Sequence, residues 1–454
     1  MAAPETVFGR RRAGVLAHVS SLPGPGIQGT VEDAYDFVRF LVRSGFSVWQ
    51  TLPLGPVNAS GSPYQGTSVF AGNTALLRDH TAPLADDYAG FRESEAHWLE
   101  DYALYCALRG EQGGQPWYLW PADLRDREPG VIEAARMRLA SAIETERREQ
   151  HAFFSAWHRF KTFANSQGIY LFGDLPMFAA HDSADVWSRR ELFCVDAHGR
   201  MTETAGAPPD AFATQGQDWG CPQYRWERMA DQGFHWWIER LRVQSSHFDL
   251  LRLDHFRGFD ASWHIPAEAS SAAGGRWLPV PGEALFAAVK QALGPLPMVA
   301  EDLGHITDSV RALRRTLDLP GMHVLQFAFE GGSDNPHLPH NHDQRGVAYT
   351  GTHDNNTTLG WWESLEAGRQ EEVRRYLDFP AEPMPWPLIH SALASVCALA
   401  ILPLQDCLAL DAEARMNTPG EVQGNWKWRC PDGALDEPLS ARLRALLRLY
   451  ARGV

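Results

Sequence analysis

Leu250-Leu251-Arg252-Leu253-Asp254 is the stretch on which the fold turns. Its nearly continuous apolar residues suit a strand covered on both faces, as in a parallel sheet, and it ends on a carboxylate. Two further segments share the pattern: Met298-Val299-Ala300 leads to Glu301, and Tyr349-Thr350-Gly351-Thr352-His353 leads to Asp354. Working outward from these, the stretches 14–20, 48–54, 169–175, 323–329 and 398–404 also read as strands ending in polar or Gly-containing turns. With 250–254, 298–302 and 346–352 they make eight, and most lead into a helical pattern.

Repeated strand-then-helix units predict the α/β class, and eight of them predict closure into a (β/α)8 TIM barrel rather than an open doubly wound sheet. No GxGxxG turn follows any strand, which counts against dinucleotide binding. The whole chain, 1–454, is expected to be one catalytic barrel domain carrying mainly helical inserts after the second and third strands. The first, 57–168, is expected to be a helical subdomain, with a helix-like stretch at 130–149 rich in Ala, Arg, Glu and Met. The second, 178–248, is expected to form a subdomain or loop over the cleft, and its Gly/Pro/Gln-rich run 205–221 suits a mobile loop. The apolar stretch 392–404 reads as a helix end running into a buried strand, and 441–452 as a short amphipathic closing helix.

At 44% hydrophobic and 21% charged residues, the 454-residue chain can bury a large core. A formal net charge of −15 repels polyanions, so nucleic acid is not an expected partner and a neutral ligand is. Six scattered cysteines without a CxxC pair indicate neither a zinc framework nor a disulfide scaffold, and suit a reducing cytoplasm. Arg10, Arg11 and Arg12 are not followed by an apolar run long enough for a signal peptide or a membrane span. Aromatic residues stand out, with 17 Trp, 22 Phe and 11 Tyr, many Trp beside loop residues. Besides core packing, such rings offer a stacking surface for the flat faces of pyranose sugars.

In a parallel barrel the reacting groups sit at the C-terminal strand ends, so Asp254, Glu301 and Asp354 would converge on one mouth. Arg252 stands two residues before Asp254 and shares its face of the strand. A cation there keeps Asp254 ionised, as a glycosidic nucleophile must be, while the partner acid must hold its proton. Glu301 is the candidate for that second role, and a retaining enzyme places two such carboxyl groups about 5 to 5.5 Å apart.

The chain resembles the 4-α-glucanotransferases, also called amylomaltases or disproportionating enzymes, of glycoside hydrolase family 77. The resemblance rests on His18 with Ser21-Leu22-Pro23-Gly24, on Trp49-Gln50-Thr51-Leu52-Pro53-Leu54-Gly55-Pro56, and on Gly61-Ser62-Pro63-Tyr64-Gln65. It continues through Gly173-Asp174-Leu175-Pro176, Arg252-Leu253-Asp254-His255-Phe256-Arg257-Gly258-Phe259 and Ala300-Glu301-Asp302-Leu303-Gly304. Pro320-Gly321-Met322, Val324-Leu325-Gln326-Phe327 and Tyr349-Thr350-Gly351-Thr352-His353-Asp354-Asn355 complete it, in order over nearly the whole chain. The chain departs from the pattern at Gln28-Gly29-Thr30, at Asn356, and at Cys221, where an Asn is usual.

Carried over by motif, the resemblance implies Asp254 as nucleophile, Glu301 as general acid then base, and Asp354 as transition-state stabiliser. It implies that Tyr64 stacks on the sugar of the cleaved-side subsite and that Asp174, Arg252 and His353 hold that sugar's hydroxyls. Gln217 and Trp219 would shape the acceptor side, and Asn417 would be a further substrate contact. Maltooligosaccharides and glucose would be donor and acceptor, with no cofactor. His337, His340 and His342 raise the alternative of a metal site, but Pro339 disfavours a helix that would align them, and the family works without a metal. Two rival functions share these features: a hydrolase of the α-amylase kind, with the same three acids, and a non-catalytic glucan-binding scaffold, which would not need them.

Overall fold

The computed structural model describes residues 5–78, 87–209, 214–421 and 423–453. Eight strands form the barrel, numbered here in chain order: β1 (Arg12–Leu16), β2 (Val48–Gln50), β3 (Tyr170–Leu175), β4 (Leu250–Leu253), β5 (Met298–Ala300), β6 (Met322–Val324), β7 (Val347–Tyr349) and β8 (Leu399–Pro403). They pair in parallel in the order β6-β7-β8-β1-β2-β3-β4-β5. The ring is nearly closed at the β5–β6 seam, where Ala300 N–H donates to Pro320 O at 2.9 Å and Met322 N–H donates to the Asp302 carboxylate at 2.8 Å.

Alternation along each strand sorts its side chains into two cores. Leu16, Val48, Phe172, Leu250, Val299, Val324, Val347, Leu399 and Ile401 fill the barrel interior. Ala13, Val15, Trp49, Leu171, Leu251, Leu253, Ala300 and Leu402 belong to the larger core that includes the surrounding helices. Gly14 shares the interior face with Leu16, and a Cβ there would stand 2.6 Å from Val48 O and 2.7 Å from Ile401 Cδ1, so the approach of β2 and β8 requires glycine. The same parity places Asp174 above Phe172, Arg252 and Asp254 above Leu250, and Glu301 above Val299. The barrel interior is therefore apolar below and charged at its mouth.

Several strands end earlier than their apolar stretches. The stretch 323–329 leaves the sheet at Val324 and turns through a 3-10 helix, Leu325–Phe327; 346–352 leaves it at Tyr349, and 48–54 at Gln50. Ladder partners stop at the mouth, so the chain beyond is free to turn and present side chains inward.

Helix Val31–Ser44 follows β1, started by a Thr30/Asp33 capping box and stopped by Gly45. Helix Glu437–Leu449 lies against it and covers most of the expected closing segment 441–452, and helix Trp386–Ala394 runs towards β8 as the apolar stretch 392–404 predicts. Between β2 and β3 lie the helices Tyr88–Ser94, Ala96–Glu111, Ala122–Arg125, Pro129–Arg138 and Ala140–Ser166; the stretch 130–149 is thus divided at Leu139.

The segment 178–248 holds the helices Ala184–Ser188, Trp226–Asp231 and His235–His247. The run 205–221, expected as a mobile loop, instead contributes to two antiparallel strands, Glu203–Ala207 and Gln217–Pro222, with 210–213 outside the described residues. These pair into a four-stranded sheet with Ala261–Pro266 and Arg276–Pro279, which come after β4. The central pairing, of Glu203–Ala207 with Ala261–Pro266, joins segments distant in sequence, so no local pattern announces the sheet as a whole.

Among the described residues no helix is long and apolar enough to cross a membrane. His337, His340 and His342 are taken up by hydrogen bonds. His337 Nδ1 accepts from Val324 N–H at 3.2 Å; His340 meets Tyr376 Oη and Ser333 O at 2.9 Å each; His342 meets Ser395 Oγ at 2.7 Å and His337 O at 2.9 Å. Among the described residues no group of three or more His, Cys, Asp or Glu side chains could hold a metal ion.

Candidate active site

Arg252 organises the mouth of the barrel. In the β3–β4 ladder it is the register partner of Asp174, and its Nη1 lies 2.8 Å from both carboxylate oxygens of that residue. The same nitrogen lies 2.9 Å from Asp254 Oδ1, and Nη2 is 3.9 Å from Glu301 Oε2. Burial works against the guanidinium charge, but Asp174, Asp254, Tyr64 and Glu301 together raise its pKa above the ordinary arginine value. One buried cation thus holds three acids in fixed relation.

Glu301 is differently placed from Asp254. Its Oε2 accepts from His255 N–H at 2.7 Å and its Oε1 from Leu303 N–H at 2.9 Å. Burial is the largest influence on its proton, with the negative charge of Asp254 adding to it; Arg252 and the two amides oppose them. The outcome is a carboxyl pKa pushed up to about 8, so that Glu301 carries its proton at neutral pH. Asp254 has a side chain 24% exposed, against 11% for Glu301, and is salt-bridged to Arg252.

Asp354 approaches from the loop after β7. Its Oδ1 accepts from Asn417 Nδ2 at 2.6 Å, its Oδ2 lies 3.2 Å from His353 Nε2, and Arg415 donates to its backbone carbonyl at 2.6 Å. Its side chain remains 44% exposed and faces solvent. Asn417 was expected on the substrate, and what it meets here is Asp354.

Tyr64 stacks against His353 with ring centroids 5.2 Å apart and planes 11° off parallel, and donates its hydroxyl to Asp174 Oδ2 at 2.9 Å. Trp426 packs at an angle to both rings, 5.8 Å from Tyr64 and 6.0 Å from His353. Asp174, expected to hold sugar hydroxyls, has no exposed side-chain surface and spends its oxygens on Arg252 and Tyr64.

Gln217 and Trp219 sit on the strand Gln217–Pro222, joined by a hydrogen bond from Trp219 Nε1 to Gln217 Oε1 at 3.1 Å. The Trp219 indole meets His255 edge-on, with centroids 4.8 Å apart. His255 follows Asp254 directly and holds a left-handed φ of 46°, as Trp426 does at 64°. Such backbone is costly for a non-glycine residue and concentrates at functional sites.

Sequence reasoning thus names residues that the fold brings to one mouth, and it misses several of their supports. The amides of His255 and Leu303, and the side chain of Gln65, lie inside the quoted motifs but carry no side-chain signal of their role. Arg415 and Trp426 come from the C-terminal loops; Arg415 stands two residues before Asn417 without a role read for it, and nothing in the local pattern marks Trp426.

An eight-stranded parallel barrel, with acids at the ends of β4, β5 and beyond β7 and with Glu301 more buried than Asp254, is an arrangement suited to a barrel enzyme acting on glycosidic bonds. Residues 17–83 and 78–435 match the family model for 4-alpha-glucanotransferase. A 4-alpha-glucanotransferase of Thermus thermophilus is 44% identical, over 97% of this chain and 99% of the relative; one from Synechocystis is 39% identical, over 98% and 99%. The amylomaltase of Streptococcus agalactiae, solved in complex with acarbose, superposes with a TM-score of 0.93 at 32% identity, covering 98% of this chain and 100% of that one. The chain belongs to the 4-alpha-glucanotransferases of glycoside hydrolase family 77, retaining enzymes that act on α-glucans.

Proposed function

We propose that Asp254, Glu301 and Asp354 carry the transfer of α-1,4-glucan segments between maltooligosaccharides, with glucose as an acceptor, by double displacement. Asp254 attacks the anomeric carbon while Glu301 gives its proton to the departing 4-oxygen, leaving a β-glycosyl ester on Asp254. Asp354 faces the developing positive charge of the oxocarbenium-like transition state. Glu301 then takes the proton of an incoming 4-hydroxyl, and attack on the ester restores the α-1,4 bond.

The single observation that carries this assignment is the contrast between the two acids: Glu301 is the more buried, with burial and the charge of Asp254 raising its pKa, while Asp254 is more open and salt-bridged to Arg252. The same arrangement supports the reversal of Glu301 between steps. The charge of Asp254 is one cause of its raised pKa. Esterification of Asp254 removes that charge, so the pKa of Glu301 falls and the group becomes a base.

Tyr64 and His353 would flank the sugar on the cleaved side, Asp174 and Arg252 would fix them from beneath, and Gln217 and Trp219 would form the acceptor side. Asn417 would act by holding Asp354. All six cysteines are free, which supports a reducing compartment such as the cytoplasm.

Incubation with maltotriose tests the function: transfer gives glucose plus longer maltooligosaccharides, whereas hydrolysis of the α-amylase kind mainly shortens. Asp254→Asn tests the nucleophile, with turnover abolished as the expected result; ordinary activity in that variant would end the assignment.

A further inference from the structure

The strands Glu203–Ala207 and Gln217–Pro222 do not pair evenly. Ala207 faces Gln217 and Gly206 faces Asp218, yet Thr204 faces Pro222, which leaves Ala205 alone opposite Trp219, Gly220 and Cys221. Extra residues in one strand bend it and re-aim its side chains. Gly220, at φ 64°, supplies the left-handed residue that the irregularity needs. Trp219 is the side chain re-aimed, and it ends edge-on to His255, the residue after Asp254.

Gln65 reaches this irregular stretch from outside the sheet. Its Nε2 donates to Trp219 O at 2.9 Å and lies 3.4 Å from Cys221 Sγ, and that thiol lies 3.6 Å from the same carbonyl. Gln65 directly follows Tyr64, so one amide joins the donor-side loop to the strand bearing Gln217 and Trp219. Cys221 is buried, and burial pushes its thiol up to about 12, so it is a neutral packing and hydrogen-bonding group rather than a nucleophile.

We propose that Gln65 and Cys221 are positioning residues that tie the irregular stretch Trp219–Cys221 to the Tyr64 loop, and so set how well a sugar hydroxyl competes with water for the glycosyl-enzyme. This rests on the proposed placing of Trp219 on the acceptor side. Gln65 fixes the carbonyl of Trp219, and the Trp219–Gln217 bond carries any displacement to the second acceptor-side residue. Cys221 takes part in the same contact.

The experiment uses the full chain and compares Gln65→Ala, Gln65→Glu, Cys221→Ala and Cys221→Ser with the wild type. Three rates are measured: transfer from maltotriose to glucose as a function of glucose concentration, hydrolysis of maltotriose, and loading from maltosyl fluoride without acceptor. One net hydrogen bond is worth about a fivefold change, so Gln65→Ala should raise the glucose KM about fivefold and raise hydrolysis relative to transfer. Loading should change less than the acceptor KM does. Gln65→Glu, which keeps the size but cannot donate as the amide does, should behave like Gln65→Ala and covers the case in which the alanine variant folds poorly. Cys221→Ala should shift in the same direction, and Cys221→Ser should recover towards wild type because a hydroxyl still offers an acceptor. An unchanged glucose KM in active Gln65 variants, or loading that falls in parallel with it, overturns the tie and leaves the carboxylate roles standing. Failure of the wild type itself to load or to transfer overturns both.

Discussion

Replacing Glu301 with glutamine should separate the chemistry of the two steps by donor. With a pKa of about 8, roughly nine in ten molecules hold the Glu301 proton at pH 7 and roughly one in ten at pH 9. A glucan leaving group needs that proton, so wild-type kcat/KM on maltotriose should bend near pH 8 and fall about tenfold per pH unit above it. Fluoride leaves without protonation, so loading from maltosyl fluoride should show no such limb. In Glu301→Gln the proton is gone at every pH, and turnover of maltotriose should drop by about 10²- to 10⁴-fold, the usual worth of a general acid. Fluoride loading should drop far less. Stopped-flow loading and steady-state disproportionation, both run from pH 5 to 10, give the comparison. An alkaline limb of equal size for both donors, or a variant equally impaired with both, would refute Glu301 as the acid.

The same residue should leave a mark on stability. Its folded pKa is raised above the unfolded value, so its stabilising protonated state is complete below about pH 4.5 and is lost as pH rises towards 8. Glu301→Gln lacks this loss but leaves one of the amides of His255 and Leu303 without an acceptor, so its stability deficit in urea should be largest near pH 5 and shrink by about 3 kcal/mol by pH 8; a deficit independent of pH would contradict the raised pKa. Arg252→Met strands Asp174, whose side chain has no exposed surface, and should cost about 3 to 5 kcal/mol in urea unfolding besides activity; a loss below about 1 kcal/mol, the range of an exposed pair, would mean that the ion pair is not buried in solution. Asn417→Ala frees Asp354 Oδ1 and should lower kcat about five- to tenfold, with KM for maltotriose changing less; a pure KM effect would return Asn417 to direct substrate contact.

How much of this was visible in advance depends on whether the cause is local. Alternation within Leu250-Leu251-Arg252-Leu253-Asp254 is enough to put Arg252 and Asp254 on one face, and the structure places them 2.9 Å apart. The short ends of β6 and β7 were not visible, because an apolar stretch does not record where neighbouring strands stop offering partners. Nor was the sheet built from 203–207 and 217–222, whose glycine- and glutamine-rich composition resembles a loop until Ala261–Pro266 lies beside it.

The amino-acid sequence by itself determined the strand-and-helix alternation, the acids at the strand ends and the family, because periodicity and motif are written in neighbouring residues. Tertiary structure alone decided how deeply Glu301 is buried, that Asn417 donates to Asp354, and that Gln65 reaches Trp219. Each of these depends on burial or on contact between segments far apart in the chain. Desolvation and hydrogen bonding act through space, and only the closed barrel brings those groups within reach of one another.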